Sequence, residues 1–311
     1  MKKLVTILLS TLLLITGAMG LTACGGEKNI TVVAREQGSG TREAFDKVIT
    51  DGNGNFLEMK VDGKKVYKTT SNADIQKETG NVMSKVASDK NAIGYISLGS
   101  LNNTIKVVNV NGVAPTSQSV LDGSYKIQRP FVIMTSSTVT LTDIAADFLL
   151  YLKSEASETH AEEAGCIYLA DETKRANEGE TAIPVVEYEV KSSLPAGGKI
   201  TVNGSTSMEK FIKKAMSGYA TLYGRTADEI FTLDLQGSSV GKTAVQNDKN
   251  GNVIGLSSAS VKEEGINSFN VCLDAVAVIV NNANENVTDL TIAQLYDIFS
   301  GKVTKFSEIV G

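Results

Sequence analysis

Val33-Ala34-Arg35-Glu36-Gln37-Gly38-Ser39-Gly40-Thr41-Arg42 runs from an apolar stretch through a loop of glycine and hydroxyl residues into a helical pattern. Ile30 to Ala34 has the unbroken apolar character of a buried strand, and Arg42 to about Ile49 has helical spacing. The same design recurs twice. Gly204-Ser205-Thr206-Ser207 separates a strand at Ile200 to Asn203 from a helix with a stripe of Met208, Phe211, Ile212, Ala215, Met216 and Tyr219. Gly237-Ser238-Ser239 follows a strand at Phe231 to Leu235 and leads into a helix near Val240 to Asn247. Strand, short loop and helix in repetition predict an α/β fold with mainly parallel sheets.

Outward from these loops the pattern holds. Residues 55–70 read as a hairpin turning at Asp62-Gly63. A helix is expected at Thr79 to Ser88 and strands at Ala92 to Ser97 and Pro130 to Thr135. An amphipathic helix follows with Ile144, Phe148, Leu149 and Leu152 on one face. Pro195-Ala196-Gly197-Gly198 is the clearest linker signal. Val271 to Asn281 is a β-rich run long enough to cross between domains, and Thr291 to Phe299 is a last helix capped by Gly301.

The three loops also point to chemistry. Backbone N–H groups in the first turn of a helix have no intrahelical partner, and the macrodipole there favours negative charge. Glycine permits close approach, and Ser and Thr add rotatable donors. Three such termini converging on one point would form an anion cage with few full charges. Each loop by itself also reads as an ordinary N-cap. Arg35 strengthens the anion reading, because its planar fork suits two oxygens of one anion. The competing reading for Arg35 is a salt bridge to Glu36 or Glu43.

The chain has 311 residues, 42% hydrophobic and 21% charged, enough for two domains. His160 is the single histidine, placed on the solvated face of a helix, so a histidine-rich metal site or a Ser-His-Asp triad has little to build on. No cluster of Asp and His has the spacing of a metal-dependent phosphatase, and no cofactor is implied. The chemistry of capture fits better than catalysis.

Residues 1–23 read as a signal peptide, with Lys2 and Lys3 ahead of an apolar stretch too short for a stable span. It ends at Leu21-Thr22-Ala23-Cys24-Gly25, which resembles the lipobox of bacterial lipoproteins. That resemblance implies a diacylated Cys24, a tether over 24–28 and a protein riding on the outer face of the cell membrane. Processing would remove two lysines and no acidic residue, leaving 28 basic against 35 acidic side chains, a net charge of −7. That balance argues against nucleic acid as a partner. It leaves small anions open, because charge is screened over roughly 8 Å. Cys166 and Cys272 read as buried thiols, with a disulfide as the alternative.

The Arg-x-x-Gly-Ser-Gly-Thr run at Arg35 to Thr41 resembles the signature of the PstS-type phosphate-binding proteins of ABC transporters. So do Gly204 to Ser207, Gly237 to Ser239, Ala92-Ile93-Gly94-Tyr95, Arg129-Pro130-Phe131 and Ile298-Phe299-Ser300-Gly301-Lys302. The resemblance implies a two-lobe, type II periplasmic-binding-protein-like fold with a hinge, closing on phosphate. Arg35, Ser39, Gly40 and Thr41 would donate from one lobe. Thr206 and Ser238 would donate from the other, with Ser205 and Ser239 as close neighbours. The expected lobes are 29–127 with 282–311, and 128–281, with crossovers near Gln128 and Asn281. The implied partners are phosphate and the permease and ATPase subunits, with the protein itself a monomer.

Two departures from the family pattern matter. The Gly-Ser-Thr-Ser lobe usually comes first, whereas this chain opens with the Arg35 lobe, as a circular permutation would, with residues 190–199 joining the old ends. Where some members carry a carboxylate after the Gly-x-Ser strand, this chain has Ser258 in Gly255-Leu256-Ser257-Ser258-Ala259-Ser260. The alternatives to phosphate import are capture of another tetrahedral oxyanion such as sulfate, and anion sensing without transport. Asp274 is a candidate for the missing acceptor, with a structural role at the hinge as its alternative.

Overall fold

The structure is a computed structural model describing residues 28–168 and 186–309. The first part of the chain forms β1 (Thr31–Arg35), α1 (Gly40–Asp46), β2 (Glu58–Val61), β3 (Lys64–Tyr67) and β4 (Asp74–Gln76). It continues through α2 (Thr79–Ser88), β5 (Ala92–Ser97), β6 (Ile105–Val110) and α3 (Ser117–Leu121). The middle comprises β7 (Gln128–Ser136), α4 (Asp143–Lys153), α5 (Glu158–Glu163), β8 (Ile167–Tyr168), β9 (Ile200–Gly204) and α6 (Glu209–Leu222). Then come α7 (Ala227–Ile230), β10 (Phe231–Asp234), α8 (Ser238–Gln246) and β11 (Val253–Ser257). The last part holds β12 (Ile266–Asn281), β13 (Asp289–Leu290) and α9 (Ile292–Ser300).

Eleven strands share one sheet, with the path β10-β9-β11-β7-β12-β5-β1-β4, β6 and β8 also on β12 and β13 on β6, while β2 and β3 form a separate hairpin sheet. Neighbours of β1 and of β9 are parallel, as strand-helix repetition dictates. β12 runs antiparallel to β7, β5 and β6. It is the structural spine. Up to Ala275 it pairs with β7, and from Val276 it pairs with β5. Val276 N also donates to Ile127 O at 2.8 Å, so the segment entering β7 runs beside β12 at the level where β12 changes partner. β12 therefore passes from one partner to the other at Ala275/Val276. Val271 to Asn281 is apolar almost throughout, so nothing in its pattern marks where one partner gives way to the other.

Two large hydrophobic cores lie on either side of that level. One gathers Phe131, Phe148, Ile200, Phe211, Tyr219 and Phe231. The other gathers Phe45, Tyr95, Ile127, Val278, Leu295 and Phe299. In the second, Phe45 stacks on Tyr95 at 4.1 Å, and Phe299 meets Phe45 edge-on at 4.8 Å, a preferred aromatic geometry. This core draws α1 from the beginning of the chain against α9 from its end. Ile30 N donates to Thr304 O at 2.7 Å, tying the two segments directly. Among the described residues no helix is long and apolar enough to cross a membrane. The signal stretch and Cys24 lie outside the described residues.

The sequence puts His160 on a solvated helix face; the structure half-buries it. Its Nε2 lies 2.7 Å from Tyr151 Oη and packs against Gly218.

Candidate functional site

The Ser/Thr loops meet where the two halves of the molecule touch. Ser39 is the N-cap of α1, its Oγ accepting from Arg42 N, which places Gly40 and Thr41 in the first turn. Gly237 N donates to Gly204 O at 2.8 Å, binding the other two loops side by side. Gly204 has φ of 136°, and a Cβ there would sit 2.2 Å from Leu256 O, so only glycine fits.

Hydroxyls bridge the halves at two points. Thr41 Oγ1 lies 2.8 Å from Ser207 Oγ, and Thr79 Oγ1 lies 3.2 Å from Thr206 Oγ1. A backbone bond joins them too, from Ser239 N to Gly38 O at 3.2 Å. Ser205 Oγ donates to Ser258 Oγ at 2.9 Å, and Ser238 Oγ is 3.4 Å from Ser258 Oγ and accepts from Ser258 N at 3.1 Å. Ser39, Gly40, Thr41, Ser205, Thr206, Ser238 and Ser258 are all buried in this contact. The result is a row of neutral, rotatable donors at helix starts, which suits a small anion and supplies no nucleophile-base pair.

Arg35 is only 2% exposed. Its Nε and Nη2 face the two carboxylate oxygens of Glu36 at 3.1 Å each, and the same two nitrogens donate to Gln76 O and Lys77 O. The salt bridge raised as the competing reading is thus present. Nη1 donates at 3.4 Å to Thr79 Oγ1, beside Thr206. This is the donor turned toward the site. Arg42 braces the arrangement, with Nη1 on Arg35 O at 2.9 Å and Nε on Asp46 Oδ2 at 3.0 Å. Burial pushes the Asp46 carboxyl up to about 6, against the pull of Arg42, and its Oδ1 has no hydrogen-bond partner.

Asp274 is committed elsewhere. Its Oδ2 accepts from Arg129 Nε and Nη2 at 3.0 and 2.9 Å, and its Oδ1 accepts from Ser97 Oγ at 2.9 Å. Burial raises its pKa, opposed by Arg129 and Ser97. Arg129 Nη1 reaches Ser258 O at 3.4 Å, so this buried pair at the crossover props the Ser258 loop from behind.

Two participants were not singled out from sequence. Ser207 lies inside a quoted motif, and only its contact with Thr41 distinguishes it from its neighbours. Thr79 opens a predicted helix, with no glycine loop before it to draw attention. A cavity of about 700 Å³ lies against one side of the contact, lined by Ser39, Arg42, Tyr67, Ser238 and Lys242. Another of about 310 Å³, lined by Thr79, Gly80, Thr206 and Lys213, lies against Thr79 and Thr206.

Over residues 23–156 and 189–311 the sequence matches the family described as the PBP superfamily domain. It is 35% identical to the phosphate-binding protein PstS 2 of Streptococcus pneumoniae TIGR4, covering 93% of this chain and 94% of that protein. Identity to the phosphate-binding protein PstS 2 of Streptococcus agalactiae serotype V is 32%, covering 96% and 97%. A crystal structure of a phosphate ABC transporter, phosphate-binding protein from Streptococcus pneumoniae TIGR4 matches with a TM-score of 0.63 at 34% identity. That match covers 90% of this chain and 99% of the other.

Proposed function

Because the chain belongs to the PBP superfamily, and within it to the PstS phosphate-binding proteins, we propose that it captures inorganic phosphate outside the cytoplasmic membrane for an ABC permease and ATPase. The observation carrying this reading is the convergence of helix-start hydroxyls from both halves beside a buried arginine.

Arg35, Ser39, Gly40 and Thr41 bind phosphate from one lobe. Ser205, Thr206, Ser238 and Ser258 bind it from the other. The lobes are residues 29–127 with the last part of the chain, and the segment from 128 to the crossover on β12. The partner change at Ala275/Val276 supports a hinge there and at Ile127/Gln128. The bond between Ile30 and Thr304 supports the permuted order, because it brings the segment before Arg35 against the segment after the Phe-Ser-Gly-Lys helix. Cys24 carries the lipid anchor, the protein acts as a monomer, and it has no catalytic activity. Its single histidine is bound to Tyr151 rather than to any of the loops, which supports that last point.

Calorimetric titration of the protein, refolded to remove carried ligand, tests the reading. Saturable binding of one phosphate per chain at neutral pH is expected. Absence of heat, with no rise in thermal midpoint at millimolar phosphate, overturns it.

A further inference from the structure

Thr79 belongs to no glycine loop, yet it stands between the charged donor and the opposite lobe. It is 6% exposed at the first position of α2. Its hydroxyl does not serve as the helix cap, since that position is Glu78, which makes no side-chain cap bond. Instead Oγ1 lies within reach of Arg35 Nη1, at 3.4 Å, and of Thr206 Oγ1, at 3.2 Å. Arg35 and Thr79 sit on one side of the crossover and Thr206 on the other.

Donor bookkeeping fixes the first step of this relay. Arg35 can only donate, so Thr79 Oγ1 accepts from it and keeps its own proton to give. If that proton goes to Thr206 Oγ1, the Thr206 proton is free for a third partner. Bonds in such a series polarise one another at low local dielectric, so the guanidinium charge is felt at Thr206. Nε and Nη2 of Arg35 are held by Glu36, Gln76 O and Lys77 O, which leaves Nη1 to start the relay.

We propose that Thr79 is a positioning residue of the anion site, relaying Arg35 across the lobe boundary to aim the Thr206 proton at the anion. This rests on the phosphate reading above. The relay exists only when the lobes are together, so its loss acts mainly on dissociation.

The test compares wild type, Thr79→Val and Thr79→Ser, each with Thr206 and with Thr206→Val, by phosphate calorimetry and stopped-flow dissociation. Thr79→Val, which keeps the shape and loses the hydroxyl, should bind phosphate about tenfold more weakly, chiefly through faster dissociation. Thr79→Ser should stay within about twofold of wild type. In the Thr206→Val background the cost of Thr79→Val should vanish, because the relay is already cut. Thermal midpoints without phosphate check that each variant is folded. Failure of wild type to bind phosphate overturns the functional reading and this inference with it. Normal wild-type binding with an unaffected Thr79→Val, or equal losses in both backgrounds, overturns this inference alone.

Discussion

Replacing Gly40 with alanine should block closure without harming either lobe. A Cβ at Gly40 would lie 2.6 Å from Ser258 Oγ, 2.7 Å from Ser238 Oγ and 2.7 Å from the Ser258 carbonyl carbon. All three atoms belong to residues far from Gly40 in sequence, in the half of the molecule built on β7 to β11, and the last cannot rotate away. Ordinary carbon contacts begin near 3.4 Å, so the lobes must part by about 0.7 Å at this point. That separation strains the Thr41–Ser207, Thr79–Thr206 and Ser239–Gly38 bonds together. At about 0.5–1.5 kcal/mol net for each bond, the loss is roughly 1.5–4.5 kcal/mol. Phosphate affinity should accordingly fall about ten- to a thousand-fold. Within its own lobe Gly40 opens α1, where alanine is the better helix former. The thermal midpoint without phosphate should therefore hold or rise slightly. Calorimetry gives the affinity, and small-angle scattering should show wild type contracting on phosphate while the variant does not. A folded Gly40→Ala protein binding within about twofold of wild type would refute the closed-contact geometry.

Arg35→Ala should weaken phosphate binding at least about tenfold by calorimetry, since it removes a charge-assisted donor and leaves Glu36 unpaired beside Gly237. Ser258→Asp should sharpen rejection of sulfate in competition titrations, because a carboxylate accepts from protonated phosphate and repels a fully ionised anion; wild-type exclusion already many thousandfold would count against this. Asp46 has its folded pKa raised from 3.8 to about 6 by burial, so ionising it costs stability above pH 6. That cost, roughly 3 kcal/mol at most, disappears as the pH falls toward 4. Wild type should therefore gain thermal stability relative to Asp46→Asn between pH 7 and 4.5, and parallel midpoints would contradict the buried carboxyl. Cys24→Ala should move the protein from the membrane fraction to the soluble one; retention would exclude the lipid anchor.

Local signals carried much of the fold. The helix at Thr79 to Ser88 and the strand at Ala92 to Ser97 end where their patterns end. Asp62 and Gly63, with φ of 51° and 77°, make the hairpin turn, and Gly301 at φ 78° caps the last helix. Less was legible where partners lie far apart in sequence. The partner change inside β12 has no local mark, because the strand is buried on either side of it, from Val271 to Asn281. Strand β4 has only three residues at a sheet edge, too short for a period to register. At the site, the motifs supplied hydroxyls and an arginine, but not their pairing. That Glu36 holds two of Arg35's nitrogens while Thr79 meets the third depends on α2 docking beside β1. Asp274 illustrates the same limit: Arg129 and Ser97 engage it from distant segments and remove it from consideration as a ligand acceptor.

The spine strand also bears on how the molecule is made. The core around Phe131 and Tyr219 draws on one unbroken stretch of chain, ending near Cys272. The core around Phe45 and Tyr95 also needs Val276, Val278, Leu295 and Phe299, which are synthesised last. During synthesis, the apolar face of β1 and α1 gains these last partners only after the middle of the chain and β12 have been made. The core around Phe131 and Tyr219 is complete once β12 has been made, and the arginine-bearing half is complete only with α9. This order leaves the Arg35 side of the contact incomplete until nearly the whole chain has been made.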